Sequence, residues 1–178
     1  MYRIDTLLKL DKKLYHTNDL AICWSIFNKN TLYTTIKRYV KKGVLIPVRK
    51  GIYSTVPLTQ LRPLDLGVAL AHRYAYLSTE SVLVQNGIIS QNVYYTTFVS
   101  SFSNRIGVGG QQFLYRKLKD KFLFNPEGVE SNNGVLVATT ERAVADMLYF
   151  DPKYHFDFFE NIDFNKVKDL QKKVGYPC

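Results

Sequence analysis

The sequence predicts an α+β protein of two modules, and three observations carry that expectation. Helical periodicity dominates residues 4–42 and gives way after Gly43 to short β-like runs. The rest of the chain alternates helix-like segments with runs rich in Val, Thr, Tyr and Phe, which suit strands. The net charge of +9 lies wholly at one end: residues 1–62 hold 12 Lys+Arg against 3 acids, and residues 63–178 hold 12 against 12. Such asymmetry fits a nucleic-acid-binding module joined to a neutral one, and 178 residues suffice for two small domains.

The first helix is expected over residues 4–12, with Ile4, Leu7, Leu8 and Leu10 forming its apolar face. Thr17-Asn18-Asp19 offers N-cap chemistry for a short second helix over residues 20–24. Residues 27–30 read as a turn, and Asn28 or Asn30 can cap a third helix over residues 31–42. Its apolar positions, Leu32, Ile36, Tyr39 and Val40, recur at i, i+4, i+7 and i+8 and so share one face. Lys41 and Lys42 complement the helix dipole in the last turn, and Gly43 supplies the stop. Residues 44–48 and 51–54 are then two β-like runs joined by Arg49-Lys50-Gly51. Three helices followed by a hairpin with a basic tip is the order of a winged helix-turn-helix, assigned to residues 1–57.

Pro57 and Pro63 bracket a connector, residues 58–63. Residues 64–178 are expected to form a small mixed α/β domain with an antiparallel sheet. Helices are expected over residues 64–72, over 79–86 with Ser78 as cap and Gly87 as stop, and over 141–150 with Thr139 or Thr140 as cap. In the last of these Ala143, Val144, Met147 and Leu148 face inward. Strands are expected over residues 93–101, 111–119 and 135–138, with a short one at Phe122-Leu123-Phe124, and Asn132-Asn133-Gly134 is a turn. The aromatic stretch 154–164 packs over the domain, and residues 165–173 form a polar helix.

The third helix carries the binding chemistry. With its apolar stripe facing the core, the opposite face presents Asn30, Thr31, Tyr33, Thr34, Lys37, Arg38 and Lys41. An α-helix fits the major groove of double-stranded DNA. There Asn pairs with adenine, Arg with guanine, and Thr, Lys and Tyr reach phosphate or base. Arg49 and Lys50 at the hairpin tip reach the flanking backbone or minor groove. A rival reading keeps the fold and drops the DNA: a protein–protein or RNA-binding adaptor without operator binding.

Residues 31–45, followed by Val48-Arg49-Lys50-Gly51-Ile52-Tyr53, resemble the N-terminal module of the AbiEi-type antitoxins of bacterial abortive-infection operons. Tyr76-Leu77-Ser78-Thr79-Glu80-Ser81-Val82-Leu83, leading to Gly87-Ile88-Ile89, is similar to a later block of that family. So are Thr96-Thr97 with Asn104-Arg105, then Phe113, Tyr115 and Phe124, and then residues 138–143 with Asp146-Met147-Leu148-Tyr149. The resemblance spans about residues 4–150 and rests on the order and spacing of several weak motifs. It implies a bacterial transcriptional regulator that represses its own toxin–antitoxin, phage-defence operon by binding double-stranded DNA at its promoter. It also implies a functional partner, a nucleotidyltransferase-like toxin, counteracted without a stable complex.

Other chemistry finds little support. Residues 107–110 are Gly-rich but lack the Lys-Ser/Thr of a phosphate loop, and read as a hairpin turn. His16, His72 and His155 stand far apart, and Cys23 and Cys178 have no metal-ligand spacing, so one reads as a buried thiol and the other as a bystander. Ser78 has no nucleophile-elbow motif. Arg142 and Asp146 are i, i+4 partners, either on a helix surface or as a buried pair organising the second domain. Tyr94, Tyr95, Phe98, Phe102, Phe113 and Tyr115 recur at strand spacing and read as core, with base stacking the alternative. No enzyme activity, cofactor or metal is expected. No apolar run reaches membrane-spanning length and the N-terminus lacks a signal-peptide pattern, so a cytoplasmic location is expected.

Overall fold

In the computed structural model residues 3–10 and 12–177 are described; Cys178 lies outside them. The chain divides into two compact units, residues 1–70 and 71–178. The architecture is α+β.

The first unit runs α1 (Arg3–Lys9), β1 (Leu14–His16), α2 (Thr17–Trp24), α3 (Lys29–Lys41), β2 (Ile46–Arg49) and β3 (Ile52–Ser54). A 3-10 turn at Leu58–Gln60 and α4 (Pro63–Ala71) follow. The three strands form an antiparallel sheet in the order β1-β3-β2. Strand β1 is not legible in the sequence, because three residues are too few to display alternation. The β2–β3 connection turns at Gly51, whose φ of +81° is a left-handed conformation open to glycine. The Gly51 carbonyl accepts the Thr17 N–H at 2.9 Å, which ties the start of α2 to the tip of the hairpin.

Local capping explains where the helices begin. The Asp19 carboxylate accepts the His16 N–H at 3.0 Å and the Lys12 ammonium at 2.6 Å, so α2 starts at Thr17, ahead of the expected Leu20. Asn28 Oδ1 accepts the Thr31 N–H at 3.1 Å, which makes Asn28 the cap of α3. Gly43, at φ +70°, ends that helix as expected. Leu7, Tyr15, Leu20, Trp24, Ile26, Leu32, Ile36 and Leu45 build the core, with Tyr39, Val40 and Cys23 packed against it. Trp24 and Tyr39 stack at 5.2 Å between ring centroids and so bind α2 to α3. Burying one such aliphatic side chain is worth about 1.5–3 kcal/mol, which outweighs helix propensity in holding α3 in place. Leu10 is half-exposed, outside the apolar face expected of it, because α1 stops at Lys9.

The second unit runs β4 (Ala75–Leu77), α5 (Glu80–Gln85), β5 (Thr96–Ser100), β6 (Asn104–Val108), β7 (Gln111–Lys117) and α6 (Asp120–Leu123). It continues with β8 (Val129–Asn132), β9 (Val135–Ala138), α7 (Thr140–Phe150), a 3-10 turn at Phe159–Asn161 and α8 (Phe164–Val174). The six strands are ordered β6-β7-β5-β4-β9-β8. The sheet is mixed, not antiparallel as expected: β5 pairs with β7 and β4 with β9 in parallel. After β5 the chain lays β6 at the sheet edge and then returns as β7 between the two, antiparallel to β6, so β5 and β7 run the same way. The run Phe122-Leu123-Phe124, expected as a strand, lies in and just after helix α6, with Phe122 and Leu123 buried. A short continuous apolar run suits a buried helical turn as well as a strand.

Candidate nucleic-acid interface

Helix α3 separates its two faces cleanly. Leu32, Thr35 and Ile36 are buried, and Tyr39 and Val40 are half-buried against the core. Asn30, Thr31, Tyr33, Thr34, Lys37, Arg38 and Lys41 are all exposed. At 3.6 residues per turn these seven occupy an arc of about 160° along a helix roughly 20 Å long. Arg49 and Lys50, at the β2–β3 turn, are exposed as well. The nine side chains picked out in the sequence thus all face solvent within the first unit.

The electrostatics of this surface are one-sided. Of the acids among residues 1–62, Asp19 is engaged by Lys12. Its carboxyl lies below the ordinary value: burial raises it, but the Lys12 ammonium and the His16 N–H together outweigh burial. Among the described residues no carboxylate forms an ion pair with Lys37, Arg38, Lys41, Arg49 or Lys50. The Arg38 guanidinium rests over the Tyr39 ring at 5.9 Å. Such a surface can hold an extended polyanion by charge and read base edges by hydrogen bonds.

Two exposed apolar side chains of the first unit were not singled out from the sequence. Ile22 on α2 is 75 % exposed, and Phe27, just before the Asn28 cap, is 90 % exposed. The signal was present, since Phe27 falls in a turn, where nothing buries a large ring.

In the second unit the structure resolves the question posed by Arg142 and Asp146. Both side chains are 0 % exposed and pair at 2.9 Å, so the pair is buried. Arg142 spends all five N–H donors: Nε on Asp146, Nη1 on the Asn125 and Glu127 carbonyls, and Nη2 on Tyr76 Oη and the Phe122 carbonyl. Asp146 accepts hydroxyls from Tyr76 at 2.9 Å, Ser78 at 2.8 Å and Tyr176. Burial pushes the Asp146 carboxyl up, opposed by the Arg142 guanidinium and these three hydroxyls. Burial likewise raises the Tyr76 and Tyr176 phenols, reinforced by the Asp146 charge, so both stay protonated as donors. This sealed network joins β4, α6, α7 and the segment after α8, and its chemistry is that of a structural core.

Other sequence candidates settle similarly. Ser78 does not cap α5; it turns inward to Asp146, and Thr79 takes the N-cap position at φ +51°. Phe98, Phe113 and Tyr115 are fully buried, and Phe98 stacks on Tyr115 at 5.7 Å, while Tyr94 is exposed. Gly109 and Gly110, both at positive φ, form the β6–β7 turn, whereas Gly107 and Val108 belong to β6. Cys23 is a half-buried free thiol. Among the described residues no three His, Cys, Asp or Glu side chains gather into a metal-ligand set, and no helix is long and apolar enough to cross a membrane. No protein-family model matches the chain, and no curated protein matches its sequence.

Proposed function

We propose that the first unit is a winged helix-turn-helix that binds double-stranded DNA, with α3 as the recognition helix and the β2–β3 hairpin as the wing. The observation that carries the reading is the outward face of α3 together with the hairpin tip. Nine exposed polar, aromatic and basic side chains lie there, and none of the five cations among them pairs with a carboxylate among the described residues. The confinement of the net charge to residues 1–62 supports it further. The resemblance to AbiEi-type antitoxins extends the proposal: a non-enzymatic cytoplasmic regulator that represses its own toxin–antitoxin operon and counteracts a nucleotidyltransferase-like toxin without a stable complex.

The test is a gel shift on the DNA upstream of the protein's own coding sequence. The wild type binds, and the variant with Lys37, Arg38, Arg49 and Lys50 replaced by alanine does not bind at physiological salt. Equal binding by both proteins sinks the assignment. Exposed Ile22 and Phe27 favour the second reading, an adaptor that grips a protein partner. Salt-insensitive affinity for a protein, without DNA affinity at low salt, would establish that reading instead.

A further inference from the structure

A groove of about 390 Å³ opens in the second unit, between the start of β6 and the end of β7 and beside the last residue of α7. Its volume falls within the range of about 300–1,000 Å³ usual for small-ligand sites. Asn104, Arg105, Leu114, Arg116, Lys117 and Phe150 are among the eight residues that line it. Three of the eight are cations, in a unit that holds 12 Lys+Arg against 11 acids.

Two of the cations rest on aromatic rings. Arg105 lies over the Tyr95 ring at 5.5 Å and Arg116 over the Phe150 ring at 5.6 Å. A guanidinium stacked on an aromatic face keeps its in-plane N–H donors available at its edge. Arg116 uses one terminal nitrogen on Glu80, but its Nε is withdrawn from solvent and has no hydrogen-bond partner. Arg105 and Lys117 are exposed, and neither forms an ion pair among the described residues. Leu114 and Phe150, both half-buried, give the groove an apolar part. Donors of one sign beside an apolar wall suit a ligand with an anionic end and a flat ring.

We propose that this groove binds a nucleoside monophosphate. The phosphate lies against Arg105 and Lys117, and the base covers Leu114 and Phe150. A phosphate alone would leave the apolar part bare, and a sugar phosphate would set hydroxyls against it. The site is separate from the α3 face, so it stands or falls independently of DNA binding.

The full chain, labelled with nitrogen-15, is titrated with AMP, GMP, CMP and UMP, with the parent nucleosides, with inorganic phosphate, and with single-stranded oligothymidine. At least one monophosphate saturates shifts of the amides of residues 104–105 and 114–117, and binds more tightly than its nucleoside and than phosphate. Replacing Arg105 and Lys117 together by alanine weakens that binding about 10- to 100-fold, the scale of lost charge-assisted hydrogen bonds. Both side chains are exposed, and an unchanged melting curve verifies the variant's fold. Three results overturn the proposal: no saturable shift with any of the monophosphates, undiminished affinity in the double variant, or shifts with oligothymidine alone. The last would assign the groove to a nucleic-acid strand.

Discussion

Replacing Lys37, Arg38, Arg49 and Lys50 by alanine removes four exposed cations that no carboxylate neutralises among the described residues. Each phosphate a protein neutralises on duplex DNA steepens the dependence of log K on log salt by about 0.9. If each of the four meets one phosphate, the variant's slope is shallower by about 3.6. Across a fourfold rise in salt, from about 50 to 200 mM, the wild type therefore loses about 150-fold more affinity than the variant. Fluorescence anisotropy with a labelled duplex from the upstream region measures both slopes, starting at low salt where the variant still binds. The substitutions spare the buried face of α3, and alanine is the best helix former, so the helix persists. Among the described residues the fold loses the Arg38 contact with Tyr39, so melting temperatures stay close. Equal slopes for the two proteins would refute the argument, because the cations would then touch no phosphate.

Further consequences concern the fold itself. Asp146→Ala leaves the Arg142 guanidinium buried and unpaired, which costs about 3–5 kcal/mol in urea unfolding; a loss below about 1 kcal/mol would mean the network is not buried as described. Gly128→Ala places a Cβ 2.8 Å from Arg142 Cβ and 2.7 Å from Leu170 Cδ1 at a φ of +69°, so it destabilises by about 1–3 kcal/mol beyond Gly134→Ala, which has an equally left-handed φ and open space around it. Similar stabilities for the two glycine variants would disprove the close approach. Asp19 has a folded value depressed below 3.8, so its stabilisation is present above that pH and lost as pH falls through the folded value. Asp19→Asn is accordingly less stable than wild type at neutral pH, and the gap closes in strong acid; a gap independent of pH would deny the depression.

Much of the first unit was legible because its signals are local. The 3.6-residue stripe of α3, its asparagine cap and its glycine stop act within a few residues of one another, and the structure keeps all three. The outward face followed from that stripe by geometry alone. Strand β6 could have been read too: Gly109-Gly110 as the turn sets Arg105 opposite Leu114, which begins to assemble the basic groove. What the groove also needs, Phe150 at the end of α7, is 34 residues beyond Arg116 and has no local signature.

By itself the sequence determined the α+β composition, the confinement of positive charge and the side of α3 that meets solvent, because each depends on periodicity or simple placement along the chain. Only the tertiary structure decided that β5 and β7 run parallel, that Phe122 belongs to a helix, and that Ser78 turns inward to Asp146. It alone brought Tyr76 and Tyr176 onto one carboxylate across 100 residues of chain. Partners so distant are chosen by the packing of elements and by the demand that a buried charge find its donors, and neither leaves a trace in local pattern.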